Sequence, residues 1–513
     1  MSTTLETFDA PGATTGVATE SPPDPRRFKA LAIIAIAQLM IVLDATVVII
    51  ALPSAQRALH ISVANRQWML TAYTLAFGGL LLLGGRVADY LGRKRMFMLG
   101  LLGFAAASAL GGLAQNEWML FGSRALQGAM AAVMAPAALS LLTVTFTEPT
   151  ERARAFGVYA AIAGGGSAIG LVLGGLLTEY ASWRWTLLVN APIAVIAAMA
   201  ASRTINESKA IGHTRYDVPG AVTITAGLMA LVYGFTRAQT DSWSAPITIG
   251  LLAAGAALVA TFVAIETRTS HPLLPLRVVL HRDRGGSYLA MLLAAVAMFG
   301  AFLFLTYYLQ QTLGYSALKA GLAFLPLSAG VVVSAGGVAS RLLPRIGPRP
   351  LMLAGMALGA GGFLWLTQIG THTGFWTHVL APELVIGFGL GMVFAPVANT
   401  ALIGVSDQDA GVASALLNTS QQVGSSLGIA LLNTIAASAT ASYLSSHAHT
   451  ATAAASGLVH GYTTGFMVSA GFLALAFLVT LVLIRGGRPG VNPATEPEAM
   501  PESLPEMELA SSM

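Results

Sequence analysis

Long apolar stretches dominate this chain, and short polar segments separate them. A transmembrane helix needs about 20 mainly apolar residues, and fourteen stretches of that kind follow one another along the sequence. The pattern predicts an all-α polytopic membrane protein with fourteen transmembrane helices. The stretches cover residues 30–52, 66–85, 96–114, 118–145, 155–177, 185–203, 218–237, 246–265, 286–311, 319–341, 350–370, 376–402, 411–440 and 461–484.

The basic residues of the connecting segments predict how these helices are oriented. Cytoplasmic loops of membrane proteins are enriched in lysine and arginine. With the N-terminus inside, the inside segments carry 21 of the 27 lysine and arginine residues, and the outside loops carry five. The remaining one is Arg124, within the fourth stretch. We therefore expect a multi-pass protein of the bacterial cytoplasmic (inner) membrane with both termini in the cytoplasm.

The stretches form two groups of six with a pair between them. Two six-helix halves of this kind would place a substrate site between the halves, near the bilayer midplane. The ends of the chain are rich in polar residues and proline, which favours disorder. We predict a cytoplasmic tail over 1–28, an N-terminal six-helix bundle over 29–203, two extra helices with their linkers over 204–285, a C-terminal six-helix bundle over 286–484 and a second tail over 485–513.

Composition supports a lipid environment and excludes several classes of protein. Of the 513 residues 55% are hydrophobic and 10% are charged, against roughly 25% charged residues in soluble proteins. The net charge of +4 does not indicate nucleic-acid binding, because the basic residues are spread over many loops. The chain has no cysteine, and therefore no disulfide and no thiolate metal site.

Motifs for catalysis or for nucleotide binding are missing from the sequence. No G-x-x-x-x-G-K-[ST] phosphate loop is present, so ATP is not the expected energy source. Nothing resembles a nucleophile with its base, and we expect no enzymatic activity and no cofactor. His447 and His449 in the last outside loop hint at a metal site, but solvated side chains explain them as well. We predict no metal.

The inside loop after the second stretch carries a recognisable motif, GGRVADYLGRKR. Its spacing places Gly85, Asp89, Gly92, Arg93 and Lys94 in a pattern that resembles the signature loop of the major facilitator superfamily. Glycines permit a tight turn, and Asp89 can pair with an arginine or a helix N-terminus. Such a contact would hold one conformation closed on the inside. An ordinary basic turn explains the same residues.

Further motifs resemble one branch of that superfamily. The segment LDATVVIIALP, from Leu43 to Pro53, resembles the first-helix motif of the fourteen-helix drug:proton antiporters of the EmrB/QacA type. Arg124 to Gly128 is similar to the arginine-containing motif of the superfamily, and Gly166 to Gly175 is similar to the antiporter motif. The resemblance implies a major facilitator fold and proton-coupled efflux.

Two positions depart from the pattern of that family. Ile49 stands where the family usually has asparagine, and Leu171 stands where a proline usually follows the central glycine. The prediction of proton-coupled export therefore rests mainly on Asp44 and Arg124.

Asp44 is the sharpest chemical signal in the sequence. It lies near the middle of the first stretch, where a charged side chain raises the free energy of membrane insertion by about 2.5–3.5 kcal/mol. Its neighbours on the same helix face are apolar, so it must meet another helix, a water-filled cavity, a proton or a cationic substrate. We predict that Asp44 couples transport to protons. A purely structural carboxylate is the alternative.

Arg124 is expected to assist Asp44 from the fourth helix. Gln127 lies one turn away on the same face, so the two side chains can form a buried polar station. An arginine does not lose its proton in proteins, and the resemblance therefore implies that Arg124 binds water or a carboxylate. A static tie between helices is the alternative, and the sequence leaves open whether Arg124 touches Asp44.

Gly166, Gly170 and Gly174 recur at four-residue spacing on the fifth helix. Such a stripe allows a neighbouring helix to approach closely. We predict a gating contact between the halves, and simple tight packing within one half requires the same residues.

Polar side chains elsewhere in the apolar stretches are candidates for the substrate cavity. Amide and aromatic groups suit flat, weakly polar molecules. Glu383, near the outer end of the twelfth helix, is either a second titratable carboxylate or an interfacial residue. The substrate-binding candidates are Gln38, Asp44, Gln127, Tyr307, Tyr308, Asn399, Asn418, Gln421 and Gln422.

These observations together predict a proton-coupled exporter of small hydrophobic drugs or antibiotics that works by alternating access. The expected partners are small hydrophobic or cationic molecules, protons and membrane lipid, with no nucleic acid, and the protein is expected to act as a monomer. A dedicated exporter of one endogenous metabolite or antibiotic is the main alternative. An importer of the same fold and a membrane-embedded sensor or enzyme fit the motifs and short loops less well.

Overall fold

The computed structural model describes residues 25–63, 65–146, 148–208, 217–269, 272–274, 276–402, 405, 410–447 and 450–485. Some side chains within helices also lie outside the described part, and that of Asp89 is one of them. The predicted tails lie outside the described residues apart from residues 25–28 and Arg485, as does His449.

In its described part the chain folds into fourteen long helical segments. Helices are the expected solution in lipid, because a helix satisfies its own backbone hydrogen bonds where no water is present. Three segments are composite: α6 joins Trp185–Leu188 to Asn190–Thr204, α9 ends in a π-helical turn at Tyr308–Thr312, and α10 contains another at Val333–Ala339. The segments are α1 Arg27–Ala58, α2 Trp68–Leu91, α3 Arg93–Gly112, α4 Glu117–Thr145, α5 Pro149–Tyr180, α6 Trp185–Thr204, α7 Val218–Asp241, α8 Pro246–Arg268, α9 Arg282–Thr312, α10 Ala317–Ile346, α11 Pro348–Leu366, α12 Leu380–Leu402, α13 Ala410–Ser445 and α14 Ala451–Leu483.

Twelve of these segments are long and apolar enough to cross a membrane, with mean hydropathies from 1.2 to 2.6. The helix α2 is not among the twelve, because the side chain of Leu82 within its apolar run lies outside the described residues. Neither is α5, which contains side chains outside the described residues. The all-α membrane class is confirmed, and the count of fourteen crossings stays a prediction.

The first six helices pack into one bundle. The closest neighbours are α2 with α4, α3 with α4 and α6, and α1 with α5. Glycines permit the tightest approaches: a Cβ at Gly84 would collide with the carbonyl of Ala132, and one at Gly100 would lie 2.6 Å from the Cβ of Met134. Helices in lipid associate through this kind of close packing, since burying apolar surface gains little there.

The last six helices form a second bundle. Here α11 packs along α12, α9 along α13 and α14, and α10 along α12. Aromatic rings fill its centre, where Phe304 meets Phe466 edge-on with ring centroids 6.1 Å apart.

The helices α7 and α8 lie beside both bundles. They pack on each other, and α7 also packs on α2 and α13. Gln67 Nε2 donates to Thr236 Oγ1 at 2.9 Å, and Thr434 Oγ1 donates to the Phe235 carbonyl at 2.8 Å. The pair is thus attached through α7 at the junction of the two bundles.

The two bundles meet mainly along α2 with α13 and along α5 with α10. We call the end of the molecule near Arg26 and Arg485 the terminal end, and the other the opposite end. The helix α5 packs closely on the first part of α10, Ala317–Ala323, and more sparsely on the next, Leu325–Val332. Further along α10, Val333 is 59% exposed. The described contacts between the bundles therefore lie toward the opposite end, where the bundles are closed.

Candidate functional site

A fully enclosed carboxylate lies in the middle of the first bundle. Asp44 on α1 is 0% exposed. Its Oδ2 accepts a hydrogen bond from Arg124 Nη1 at 2.6 Å. Its Oδ1 accepts from Gln127 Nε2 at 3.1 Å and from Asn190 Nδ2 at 2.8 Å. Asp44 therefore ties α1 to α4 and α6.

Arg124 is also enclosed, and its other contacts reach a further helix. Its Nε donates to the Met69 carbonyl at 3.0 Å, and its Nη1 donates to Gln127 Oε1 at 2.7 Å. The guanidinium lies over the ring of Tyr73, 4.5 Å from the centroid. The direct contact between Asp44 and Arg124, which the sequence left open, is present in the structure.

Two members of this network escaped the sequence reasoning. Asn190 donates to Asp44, and Ser108 on α3 accepts from Gln127 Nε2 at 2.7 Å. In the sequence, each of them is a single polar residue within an apolar stretch. Many other residues have the same surroundings, so the pattern did not single these two out. With them, Asp44, Arg124 and Gln127 join five helices of the first bundle.

The enclosure limits what this network can contact directly. Asp44 and Gln127 are both 0% exposed, so neither presents a surface to a substrate in this conformation. Their predicted contact with substrate stays a prediction. The network encloses a pair of opposite charges in an apolar bundle, and its donors hold the carboxylate in place.

Polar side chains close the opposite end between the bundles. The guanidinium of Arg66 lies 4.0 Å from the centroid of the Tyr307 ring, and its Nη2 donates to Asn433 Oδ1 at 3.2 Å. The Tyr307 hydroxyl donates to Gln56 Oε1 at 2.5 Å. At mid-depth, Thr74 Oγ1 and Ser426 Oγ are 2.5 Å apart.

The predicted substrate contacts fall in different surroundings. Tyr307 belongs to the closure just described, and Tyr308 is hydrogen-bonded to Thr373 Oγ1 at 2.7 Å within the second bundle. Gln38, Gln421 and Gln422 are half-buried. Asn399 and Asn418 are exposed, on the parts of α12 and α13 near the terminal end. The structure therefore does not bring these side chains together around one point.

The loop between α2 and α3 contains a turn that needs glycine. Gly92 has φ +116°, and a Cβ there would lie 2.7 Å from Glu207 Oε1. Glu207, just after α6, accepts from the backbone N–H groups of Lys94 at 3.1 Å and Arg95 at 3.2 Å. The N–H of Arg93 donates to the Ser208 carbonyl at 3.0 Å. A carboxylate missed by the sequence reasoning thus caps α3.

The remaining motif residues of this loop have other surroundings. The Lys94 ammonium donates to the Ser202 carbonyl at 2.8 Å. A Cβ at Gly85 would make ordinary contact with Pro136 at 3.4 Å, so the tight approach of α2 to α4 occurs at Gly84 instead. The predicted pairing of Asp89 lies outside the described side chains. A gating role for this loop stays a prediction.

Replacing Glu207 by alanine is expected to loosen the start of α3. An N-terminal cap contributes about 1 kcal/mol, so amide exchange of residues 93–96 should become roughly fivefold faster. Hydrogen exchange followed by mass spectrometry measures this. Asp241→Ala removes a surface carboxylate, paired with Arg237 at 2.6 Å, and is the control. Equal exchange in the Glu207 variant and the wild type would contradict the capping role.

The glycine stripe of α5 packs within the first bundle. A Cβ at Gly166 would lie 3.1 Å from Val42, and one at Gly174 would lie 2.8 Å from the Val47 carbonyl. A Cβ at Gly170 would collide with the Thr46 hydroxyl. All three neighbours are on α1. The stripe therefore packs tightly within one bundle, as in the tight-packing alternative.

Contact between the bundles is made by neighbouring glycines. A Cβ at Gly175 would lie 2.6 Å from the Cα of Leu318 on α10, and one at Gly321 would collide with the Leu171 carbonyl. Leu171, one of the two departures from the family pattern, therefore lies at the junction between α5 and α10.

Glu383 is a second enclosed carboxylate. It lies in the first turn of α12, is 0% exposed, and has no hydrogen-bond partner for either oxygen among the described residues. It is therefore buried rather than interfacial. Its helix packs within the second bundle, away from Asp44.

Of the two histidines of the last outside loop, His447 is described and His449 is not, so the metal prediction stays untested. No group of three or more histidine, aspartate or glutamate residues in the described part of the chain could hold an ion. The His447 ring stacks on Tyr443 with centroids 3.9 Å apart.

Comparison with known proteins places the chain among transporters. Residues 34–429 match the family model described as Major Facilitator Superfamily. The puromycin resistance protein pur8 of Streptomyces alboniger is 49% identical over 464 residues, covering 90% of this chain and 92% of that protein. The cephamycin export protein CmcT of Amycolatopsis lactamdurans is 40% identical over 414 residues, covering 80% and 85% respectively.

A solved structure shows the same fold at low sequence identity. A bacterial homologue of the human lysosomal transporter Spinster, in an inward-facing and unoccupied conformation, aligns with a TM-score of 0.62 and 15% identity. The alignment covers 90% of this chain and 98% of that one.

Proposed function

This chain belongs to the Major Facilitator Superfamily, and we propose that it exports small antibiotic-like molecules from the cytoplasm in exchange for protons. The observation that carries the coupling is the enclosed pair of Asp44 and Arg124. A charged pair inside a membrane bundle is costly, and a proton-binding role explains why it lies there. The proton gradient is the proposed energy source.

The relatives support the substrate class. Their names give puromycin resistance in one case and cephamycin export in another. These are small molecules of different chemistry, handled by proteins of similar sequence. Because each name gives one antibiotic, an exporter dedicated to a single compound is the second candidate.

The conformation fits the loading step of such an exporter. The molecule is closed at the opposite end, and the basic residues lead us to expect the terminal end on the cytoplasmic side. Substrate would enter between the bundles from that side, with exposed Asn399 and Asn418 near the entrance. Closing the terminal end and parting the Arg66–Tyr307 contact would then open the path outward.

Protons would act through the Asp44 network. Three donors satisfy this carboxylate now, and they must withdraw before it binds a proton. Because the network joins α1 to four other helices of its bundle, protonation would release α1. Export follows if the proton and the substrate favour opposite states of the same two-state element.

Transport into everted membrane vesicles tests the proposal. Vesicles containing the protein, with an inside-acid gradient, should accumulate radiolabelled puromycin several-fold above vesicles without it, and nigericin should abolish the difference. Adding puromycin should release protons from the vesicles. Accumulation that needs ATP and survives nigericin would contradict proton exchange. Parallel uptake of a cephamycin and of lincomycin separates the two candidates, since a dedicated exporter moves only one compound.

A further inference from the structure

Two buried acids meet at the terminal end of the inserted helices. Asp217 caps α7, where its Oδ1 accepts from the Gly220 N–H at 2.8 Å. Glu266 lies in the last turn of α8, where its Oε2 accepts from the Leu274 N–H at 2.9 Å. Each residue is 4% exposed. One oxygen of each carboxyl group is therefore occupied by a backbone donor.

The other two oxygens face each other without such a donor. Asp217 Oδ2 and Glu266 Oε1 are buried and have no N–H or hydroxyl partner among the described residues. Both point at Gly220: a Cβ there would lie 3.0 Å from Glu266 Oε1 and would collide with Asp217 Oδ2. Because both oxygens lie close to the same point beside Gly220, they are near neighbours. An ionised carboxylate only accepts hydrogen bonds, so a bond between them requires a proton.

We propose that Asp217 and Glu266 share one proton and form a proton-binding site separate from Asp44. Two carboxylates in one buried site do not both ionise readily, and they titrate as a pair. This site goes beyond the proposed export activity, since it lies in the inserted helices and outside both bundles. We call it the acid pair.

Among the described residues, few other charges surround the acid pair. The helix α13 has no charged residue, and the charged residues on α2 are Arg86 and Asp89. Cations near it in the sequence are Arg215, which lies outside the described residues, Arg268 on α8 and Arg277 on the short helix that follows. Arg86 is engaged with the Pro272 carbonyl at 3.2 Å.

The acid pair holds a strap that links the two bundles. The strap is the described segment after α8, residues 272–274 and 276–279. Glu266 binds its Leu274 N–H, and Arg86 of the first bundle binds its Pro272 carbonyl. Its apolar side chains pack in a cluster with residues of the second bundle, namely Tyr288, Ala401, Ala413 and Leu416.

Loss of the shared proton would therefore loosen the strap. Two adjacent buried carboxylates repel, while an ionised Glu266 accepts the bond from Leu274 more strongly. We expect the repulsion to prevail, so that Glu266 moves away from Asp217 and from Leu274. Because the proton favours the closed arrangement, strap attachment is expected at low pH and should weaken as the cytoplasmic pH rises. Protons delivered to the cytoplasm by transport would tighten it.

Hydrogen exchange of the full-length protein in nanodiscs tests the acid pair without any transport assay. After correction for intrinsic exchange rates, protection of the hydrogen-bonded amides of Leu274 and Leu280 should fall about tenfold between about pH 5.5 and about pH 8.5, which corresponds to one pK unit of coupling. Glu266→Gln keeps a donor toward Asp217 and should stay protected at every pH. Glu207→Gln is the control and should keep the wild-type pH dependence.

Infrared difference spectra give an independent readout of the same proton. A protonated-carboxyl band should vanish on raising the pH of the wild type and should be missing in Glu266→Gln. Asp217→Asn retains a capping side chain and should also lack the band. Protection that does not change with pH in the wild type, or a pH-dependent band that persists in both variants when Glu383 is also replaced by glutamine, would overturn the proposal.

Discussion

Replacing Asp44 by asparagine is expected to abolish export driven by the proton gradient and to lower the thermal stability of the protein. The variant leaves Arg124 enclosed without its counter-charge, at 1% exposure. Removing one partner of a buried pair costs about 3–5 kcal/mol. The asparagine side chain also cannot take up a proton, so the gradient has no effect through this site. Drug uptake into everted vesicles and the melting temperature of the purified protein measure the two effects.

A second variant separates stability from coupling. Arg124→Gln in the Asp44→Asn background removes both charges, and it should recover most of the lost melting temperature while export stays absent. Asn190→Ala removes a donor to Asp44 without changing any charge, and it should retain gradient-driven export. If Asp44→Asn alone still exports against the gradient, the coupling proton binds elsewhere. Glu383, the enclosed carboxylate of the second bundle, is then the next residue to replace.

Much of the helical architecture could be predicted, because lipid imposes a simple pattern. The stretch predicted over 30–52 lies within α1, Arg27–Ala58, and the others agree similarly with their helices. Asp44 was predictable for the same reason, since a charge in such a stretch requires a partner. The sequence indicated Arg124 as an assisting residue but could not show that the two side chains touch, because many helices offer polar side chains.

The limits of the sequence are clearest where one residue type serves two purposes. Gly166, Gly170 and Gly174 suit a moving contact and a static one equally, and only the three-dimensional arrangement shows that they pack against α1. Glu207 could not be found because the residues it caps are more than a hundred positions away in the chain. Long-range pairs of this kind leave no local signal.

The two departures from the family pattern have a physical setting. Ile49 and Leu171 are 2% and 0% exposed and belong to the same large apolar cluster. That cluster also contains Tyr307 and Phe324 of the second bundle. Apolar side chains at these positions therefore add to the packing that closes the opposite end. A polar residue at Ile49 would have to find a partner within this cluster.

A disulfide across the junction of the bundles is expected to stop transport completely and reversibly. The hydroxyl oxygens of Thr74 on α2 and Ser426 on α13 are 2.5 Å apart, and the chain has no native cysteine to compete. In Thr74→Cys with Ser426→Cys, an oxidant should lock the bundles in the conformation that is closed at the opposite end.

Alternating access requires these two helices to separate near that end, so the locked protein cannot release substrate outward. Uptake of puromycin into everted vesicles should fall to the level of empty vesicles after oxidation and should return after dithiothreitol. Each single-cysteine variant, treated in the same way, should keep its activity. Quantitative cross-linking with unchanged uptake would show that α2 and α13 stay together throughout the cycle. The path to the outside would then have to open between α5 and α10, where Gly175 and Gly321 make the close approach.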